Sequence, residues 1–459
     1  MLAGGLERRA LRPERPPHLE DRPQDSALTV SDGGENSGSL ASLRRRVDQA
    51  PDDADARLQL GTALTEAGQP AEALGQLQRS VELDPSLVRG HIRLGNLLRD
   101  LSRTGEAVEA YGRALDLRPA DPFILSNLGN AWLDLSETGR AIDCYRQSLE
   151  IHQDAPATFS NLIFAMQYDS GIRREEIASA HREWGGRFGQ ALGQAESPER
   201  LAYDGRRPMR VGFLSADFRY HPVGRMASAL WRHLDRDRVT PIVYDNSAAD
   251  SPAKRRYREQ VVQWNDIAAL PDDALVEQIR SDRLDALIDL SGHTSGNRLG
   301  VLAQKPAPVQ AALFAYPNTT GLAAVDWRIT DAEADPPGAE PLYVEQLLRL
   351  PSVAWVYGAP DDSPEAGGLP CLGGAPFTFG CLNNPAKISA AAVETWSVIL
   401  RACPGARLML LVRDDPAHEG LLLAKRSEGL RERLRRSPLM DHAGYAREWT
   451  GALERLFTA

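Results

Sequence analysis

The sequence has few cysteines and no long apolar run, and each shortage excludes a class of protein. Its four cysteines, Cys144, Cys371, Cys381 and Cys403, never occur in a CxxC spacing, which argues against a metal site and fits a reducing compartment. No apolar run approaches the roughly 20 residues that a membrane helix requires. The first residues are rich in arginine and proline and lack the apolar centre of a signal peptide. We therefore expect a cytoplasmic protein with no membrane partner.

Positive charge is also scarce, since 53 lysines and arginines face 63 aspartates and glutamates, for a formal net charge of -10. Nucleic-acid-binding proteins usually carry a basic excess, so we expect no nucleic-acid partner. With 42% hydrophobic and 25% charged residues among 459, the composition is ordinary for a globular chain of two or three domains. Residues 1–39 are the exception, because their apolar content is too low to offset chain entropy, and we predict a disordered tail there.

A 34-residue repeat organises residues 40–190. Leu-Gly pairs recur at Gly61, Gly95 and Gly129, and the same register aligns Leu77, Tyr111 and Tyr145, each 16 positions after a glycine. This is the tetratricopeptide period, in which small residues allow two helices of one unit to pack closely. The sequence therefore predicts an α-solenoid of three clear units, a degraded fourth unit, and a lone helix that seals its front.

Four asparagines in these repeats form two in-register pairs. Asn130 lies 34 residues after Asn96, and Asn161 lies 34 residues after Asn127. Isolated asparagines are usually solvated, but a ladder of side-chain amides on the concave face of a solenoid can hold an extended peptide by its backbone. We predict a protein or peptide partner at this face. A homo-oligomer is a further association that the sequence leaves open.

Strand and helix patterns alternate from residue 205 to residue 357, which predicts a doubly wound α/β lobe. Predicted strands at 211–214, 241–244, 286–290, 309–314 and 327–329 alternate with helices such as 225–233, 274–281 and 299–305. Residues 358–376, rich in Pro, Gly and Asp, are typical of a linker. A further strand, helix and strand follow after residue 377.

Polar loops follow several of these strands, at the carboxyl ends where open parallel sheets bind ligands. His221, held by Pro222, follows the first strand, and small and hydroxyl residues at 291–296 follow the 286–290 strand. Such a turn can bring backbone N–H groups close to an anion or a sugar, although many such loops are only turns. Lys387 precedes a helix whose predicted N-cap is Ser389. The lysine ammonium and the free N–H groups of the helix N-terminus can together hold a diphosphate. The alternative is that Lys387 is a solvated surface lysine.

Five motifs occur in one order: V-G-F-L-S-A-D-F-x-x-H-P from residue 211, D-L-S-G-H-T-x-G-N-R-L from 289, K-P-A-P-V-Q with Y-P-x-T-T-G from 305, D-W-R-I-T-D-x-x-A-D-P-P-G from 326, and N-N-x-A-K-I-S from 383. Together with the repeats they resemble the bacterial relatives of the tetratricopeptide-repeat O-linked N-acetylglucosamine transferases, the family that includes the SPINDLY-type enzymes. The resemblance implies a GT-B pair of Rossmann-like lobes. It also implies inverting, metal-independent transfer of N-acetylglucosamine from a UDP-sugar substrate, with no cofactor, to Ser or Thr of a protein.

The resemblance also implies roles for individual residues. His221 corresponds to an active-site histidine, either a general base or a substrate-orienting group, and Lys387 to the residue that neutralises the leaving diphosphate. The residues predicted to face the donor are Ser291, Gly292, His293, Thr294, Thr319, Thr320, Gly321 and Asn384.

The second lobe, residues 377–459, is shorter than the family pattern implies. A Rossmann-like lobe needs on the order of twice this length, yet residues 430–441 and the helix at 445–457 already resemble the family's closing segment. Two interpretations follow. The chain is a transferase with a shortened donor lobe, or it is a non-catalytic protein-binding scaffold that has lost part of its donor site.

Overall fold

Helices form the first part of the computed structural model and a parallel sheet forms the second, which confirms the predicted class of a repeat solenoid followed by an α/β domain. The structure describes residues 39–189, 206–247, 250–359, 370–410 and 442–458. The predicted disordered tail lies outside these residues, apart from Ser39. The described residues divide into two compact units, one with the repeats to Ser170 and the segment after Pro376, the other with the remainder.

The repeat unit begins with a single helix, α1 (Leu40–Gln49), followed by three antiparallel helix pairs and one final helix. Aspartates initiate two of these helices, since the side chain of Asp53 accepts a hydrogen bond from Ala56 N and that of Asp121 accepts one from Phe123 N. The remaining helices are α2 (Ala54–Glu66), α3 (Pro70–Leu83), α4 (Val88–Asp100), α5 (Thr104–Leu117), α6 (Pro122–Asp134), α7 (Thr138–Ile151) and α8 (Pro156–Met166).

Glycine allows close contact within each helix pair. A Cβ atom added at Gly95 would lie 2.6 Å from the ring of Tyr111, and one at Gly129 would lie 2.7 Å from the ring of Tyr145. Both tyrosines are fully buried, so the rings have no free space into which to move. The glycines of the repeat are therefore required by packing, as their spacing predicts.

The second unit contains seven parallel strands in the order β3-β2-β1-β4-β5-β6-β7. Helix α9 (Arg174–Trp184) and a short π-helical turn (Gly185–Gly189) precede the sheet. The strands and their connecting helices are β1 (Met209–Ser215), α10 (Pro222–Trp231), β2 (Val239–Asp245), α11 (Pro252–Arg258), β3 (Gln263–Asp266), α12 (Asp272–Ser281), β4 (Ala286–Asp289), α13 (Leu299–Ala303), β5 (Val309–Ala312), β6 (Trp327–Thr330) and β7 (Gln346–Arg349).

A helix from much later in the chain completes the core of this unit. Helix α15 (His442–Thr458) buries Trp449, whose ring stacks on that of Phe213 in β1 with 5.6 Å between centroids. The hydroxyl of Tyr445 donates a hydrogen bond to the carbonyl of Ala354 at 2.9 Å. These contacts place α15 with the first α/β lobe. The sequence analysis instead assigns this helix, with the rest of residues 377–459, to the second lobe. Similarly α9, assigned to the repeat domain through residue 190, groups with the sheet.

The segment from 370 to 410 contains a second, two-stranded parallel sheet. It contains β8 (Thr378–Cys381), a 3₁₀ turn (Pro385–Lys387), α14 (Ala390–Ala402) and β9 (Arg407–Leu410), and the two strands pair with each other. The hydroxyl of Ser389 accepts a hydrogen bond from Ala392 N, which confirms the predicted N-cap. Residues 411–441 lie outside the described residues. In the described ranges, no helix has both the length and the apolar character needed to cross a membrane.

Candidate functional site

The site lies where the strand order of the sheet reverses. From β1 the chain continues through β2 and β3 on one side of the sheet, then returns to β4 on the other side of β1. In sheets of this topology the loops that leave the carboxyl ends of the two strands at the switch point border a crevice, the usual position of a ligand. In this chain those loops are residues 216–221 after β1 and residues 290–298 after β4.

The loop after β4 is tied to the loops after β2 and β1. From the loop after β2, the side chain of Asn246 donates a hydrogen bond to the carbonyl of Gly296 at 2.8 Å. Gly296 has a positive φ of +71°, and a Cβ there would lie 2.7 Å from Cβ of Ala216. A residue with a side chain would push the loops apart, so glycine sets the width of the crevice at this point.

His221 is the N-cap of α10 at the edge of the crevice. Its Nδ1 accepts a hydrogen bond from Val223 N at 3.3 Å, and 35% of its side chain is exposed. The carboxylate of Asp217 lies 3.7 Å from the same Nδ1 and pairs with Arg219 at 3.2 Å. Burial lowers the pKa of His221, with Arg219 and Arg225 adding to the effect and Asp217 opposing it. The imidazole is therefore neutral at neutral pH.

The loop after β4 is built around the carboxylate of Asp289. This carboxylate accepts hydrogen bonds from Gly292 N at 2.7 Å and Ser291 N at 3.3 Å. Burial raises the pKa of Asp289 to about 6, while these two N–H donors act in the opposite direction. Gly292 has a φ of +52° and approaches the ring of Tyr316, and the hydroxyl of Thr294 donates to the carbonyl of Ser291 at 2.8 Å. The predicted Ser-Gly-His-Thr turn is therefore a rigid, internally bonded loop.

The Thr319-Thr320-Gly321 loop is fixed by a buried carboxylate. Both threonine hydroxyls donate to Glu345, and Thr320 N donates to the same carboxylate at 2.6 Å. Neither threonine side chain is exposed to solvent. Gly321, with a φ of +77°, lies against the backbone of His181 in α9, where a Cβ would come within 2.1 Å of the carbonyl oxygen. Direct contact of this loop with a sugar donor stays a prediction.

His293 belongs to a buried aromatic cluster that joins the loops to α9. Its Nε2 lies 2.8 Å from the carbonyl of Thr320, and its ring makes edge contacts with those of His181 and Trp184, with centroids 5.0 and 4.9 Å apart. The Nε2 of His181 lies 2.8 Å from the hydroxyl of Tyr316. Burial lowers the pKa of His293 to about 4, so this ring is neutral. The observed contacts of His293 position loops, and its predicted contact with the donor is untested.

Lys387 and Asn384 lie in the other compact unit. Lys387 is exposed and ends the 3₁₀ turn, its backbone N donating to the carbonyl of Asn384 at 2.9 Å. The side chain of Asn384 accepts a hydrogen bond from Ala386 N at 3.2 Å. The lysine thus immediately precedes the N-terminus of α14, as the sequence predicts. Its charge-neutralising role stays a prediction.

The four asparagines of the repeats differ in their surroundings. Asn96 and Asn130 each accept a hydrogen bond from a tyrosine hydroxyl, from Tyr111 and Tyr145 respectively, at 2.7 Å. Asn161 Nδ2 donates to Asn130 Oδ1 at 3.1 Å, so two of the predicted set do contact each other. Asn127 is buried. Their contact with a peptide stays a prediction.

Sequence reasoning overlooked three residues that shape the site. Asp217 and Asp289 are part of the quoted motifs, and their position directly after a buried strand was an available signal for a loop-bracing role. Glu345 had no such signal, because it lies 25 residues from Thr320 and becomes its partner only through the fold.

Comparisons with known proteins agree with this architecture. Residues 190–359 match the model for glycosyl transferase family 41, and residues 34–116 and 92–156 match tetratricopeptide-repeat models. The chain is 38% identical over 255 residues to the probable UDP-N-acetylglucosamine–peptide N-acetylglucosaminyltransferase SPINDLY of Arabidopsis thaliana. This match covers 54% of the present chain and 28% of the plant protein. The corresponding enzyme of Caenorhabditis elegans is 28% identical over 160 residues, or 34% of this chain and 14% of that protein.

A solved structure extends the likeness beyond residues 190–359. A mutant O-GlcNAc transferase of Thermobaculum terrenum superposes with a TM-score of 0.72 at 27% identity, covering 83% of this chain and 71% of that one. The sequence matches to the curated relatives, by contrast, span less than a third of the length of those proteins.

Proposed function

We propose that this chain, whose residues 190–359 match the model for glycosyl transferase family 41 and which carries tetratricopeptide repeats, is a protein O-glycosyltransferase. In this proposal it transfers N-acetylglucosamine from UDP-GlcNAc to a Ser or Thr hydroxyl of a protein, with inversion at the sugar and without a metal. The observation that carries the proposal is His221, which begins α10 at the switch point of the lobe that matches the family.

Inverting transfer needs two separate kinds of assistance. The acceptor hydroxyl attacks the face of the sugar opposite the leaving group, so a group near that hydroxyl must orient it or take its proton. The negative charge that develops on the departing diphosphate must be offset on the other face. His221 is suited to the first task because its neutral imidazole lines the crevice. Lys387, exposed beside the N-terminus of α14, is suited to the second task.

The repeats supply the means to hold a protein acceptor. Their stacked helices form an extended surface of the kind that binds peptides in other solenoids, and Asn96, Asn130 and Asn161 each lie partly exposed within it. We propose that these amides contact the backbone of the acceptor.

Sugar transfer by the purified chain tests the proposal. The assay measures radiolabelled N-acetylglucosamine transferred from UDP-GlcNAc to proteins of a cell lysate. We expect His221→Ala and Lys387→Ala each to lower turnover by about 100-fold or more, the scale of a lost acid–base or charge-stabilising group. Two exposed residues in the same units, His233 and Arg401, provide matched alanine controls that should retain wild-type turnover. Wild-type turnover in both site variants would remove the assigned roles.

A non-catalytic protein-binding scaffold is the second candidate function. The observation that favours it is the repeat unit, whose stacked helices α2 to α7 form an extended surface of the kind that binds protein partners. Calorimetric titration with uridine diphosphate separates the two candidates. Binding as tight as that of a full-length relative would support the enzyme, whereas absence of both binding and transfer would support the scaffold.

A further inference from the structure

The N-cap of α10 differs in kind from the other side-chain caps of the described helices. Those caps are hydroxyl or carboxylate oxygens, the groups that usually accept the first free N–H of a helix. They belong to Ser39, Asp53, Asp121, Ser251 and Ser389. At α10 an imidazole nitrogen takes this place. A histidine here is a poor choice for helix stability alone, so the ring has a further use.

The cap determines which ring nitrogen holds the lone pair. Pro222 has no N–H, and Val223 N is the donor that reaches Nδ1 at 3.3 Å. An N–H can donate only to an unprotonated nitrogen, so the neutral ring must carry its hydrogen on Nε2. The opposite tautomer would place two N–H groups face to face. In the part of the chain that the structure describes, Nε2 makes no hydrogen bond.

We propose that His221 presents Nε2–H as a hydrogen-bond donor to an oxygen of the bound substrate and is not the general base of the reaction. This inference rests on the proposed transferase function. The lone pair that a base requires is directed at the helix N-terminus, while the partly exposed ring offers a proton donor to the crevice. His221 therefore orients the substrate, and the acceptor proton leaves by another group.

The charged groups around the ring act in both directions. Asp217 lies near Nδ1 at 3.7 Å and attracts a proton to that nitrogen, whereas Arg219 and Arg225 oppose protonation. Protonation at low pH would break the cap and pair Nδ1 with Asp217, yet Nε2–H would remain. A donor role therefore survives protonation of His221, whereas a base role does not.

Nitrogen-15 NMR of the histidine-labelled full chain tests the tautomer without any need for activity. The signals of His221 are assigned by their loss in His221→Ala. We expect, at pH 7.5, a neutral ring protonated on Nε2. A neutral ring protonated on Nδ1 would overturn the proposal.

Two substitutions test the consequence for turnover. Glutamine places an amide N–H donor near the position of Nε2, and asparagine places a capping oxygen near the position of Nδ1. We expect His221→Gln to lower turnover by about 10-fold and His221→Asn by about 100-fold or more, even though asparagine is the better N-cap and should preserve the melting temperature. Turnover that is equally low in both folded variants, or a loss of wild-type kcat that follows protonation of His221, would refute the donor role. If the wild-type chain transfers no sugar, the proposed function fails and the NMR spectrum alone decides the tautomer.

Discussion

The same substitution, glycine to alanine, should have opposite effects on stability at two glycines of one repeat. Gly95 in α4 faces the ring of Tyr111, and an added Cβ would lie 2.6 Å from a ring carbon. Gly112 in α5 has no atom within 4 Å of the corresponding position. Both residues lie inside helices, where replacement of glycine by alanine favours the helix by about 1 kcal/mol.

The packing cost decides the sign at Gly95. The ring of Tyr111 is fully buried, and its hydroxyl is hydrogen-bonded to Asn96, so it cannot move without the loss of other contacts. Overpacking of this kind costs about 1–3 kcal/mol. We expect Gly95→Ala to destabilise the repeat unit by about 1 kcal/mol and Gly112→Ala to stabilise it by about 1 kcal/mol. The difference between the variants, about 2 kcal/mol, corresponds to about a 30-fold difference in the opening equilibrium.

Native-state hydrogen exchange of the full chain is the appropriate assay, because it reports on α4 and α5 separately from the rest of the molecule. The amides of these helices should exchange faster in Gly95→Ala than in the wild type, and more slowly in Gly112→Ala. A shift in the same direction for both variants would show that helix propensity alone determines the effect. The packing argument for the repeat glycines would then be wrong.

Two further predictions concern the α/β lobe. We expect Trp449→Ala to lower the free energy of unfolding of this lobe by about 3–5 kcal/mol, the usual cost of removing a buried tryptophan. Urea denaturation measures this change. The control is Arg447→Ala, on the exposed face of the same helix, which should change the free energy of unfolding little. We also expect lobe stability to fall by about 3 kcal/mol between pH 6.5 and 4 because of His293, since the unfolded imidazole binds a proton in this range while the folded one, with a pKa of about 4, does not. The urea midpoint should fall less steeply with acid in His293→Gln than in the wild type, and equal slopes would contradict the assignment.

The repeats and the buried strands could be predicted from the sequence because their signals are local. Gly95 and Tyr111 recur with a fixed period, and the apolar run of β1 has the composition of a buried strand. The edge strands β3 and β7 were missed, since they are short and partly exposed and contain polar residues. At the edge of a sheet a strand has a neighbouring strand on one side only and is more exposed, so the usual apolar pattern is not required.

The candidate site was predictable in its location but not in its internal contacts. Small and hydroxyl residues after β4 and β5 correctly indicated structured loops at the carboxyl ends of strands. The partner of Thr319 and Thr320, however, is Glu345, which directly precedes β7 and meets the two threonines only in the folded chain. A carboxylate that is buried through long-range packing has no local pattern, and therefore only the structure identifies it.

The position of α15 in the chain has a consequence for the order in which the protein assembles on the ribosome. The β1 strand, α10 and Leu350 are synthesised early, but the tryptophan and tyrosine that cover them emerge only after the whole segment from 370 to 441 has been translated. At roughly 5–20 residues per second, this delay is on the order of ten seconds. During that interval the nascent lobe exposes the apolar surface around Phe213, which is the kind of surface that chaperones recognise.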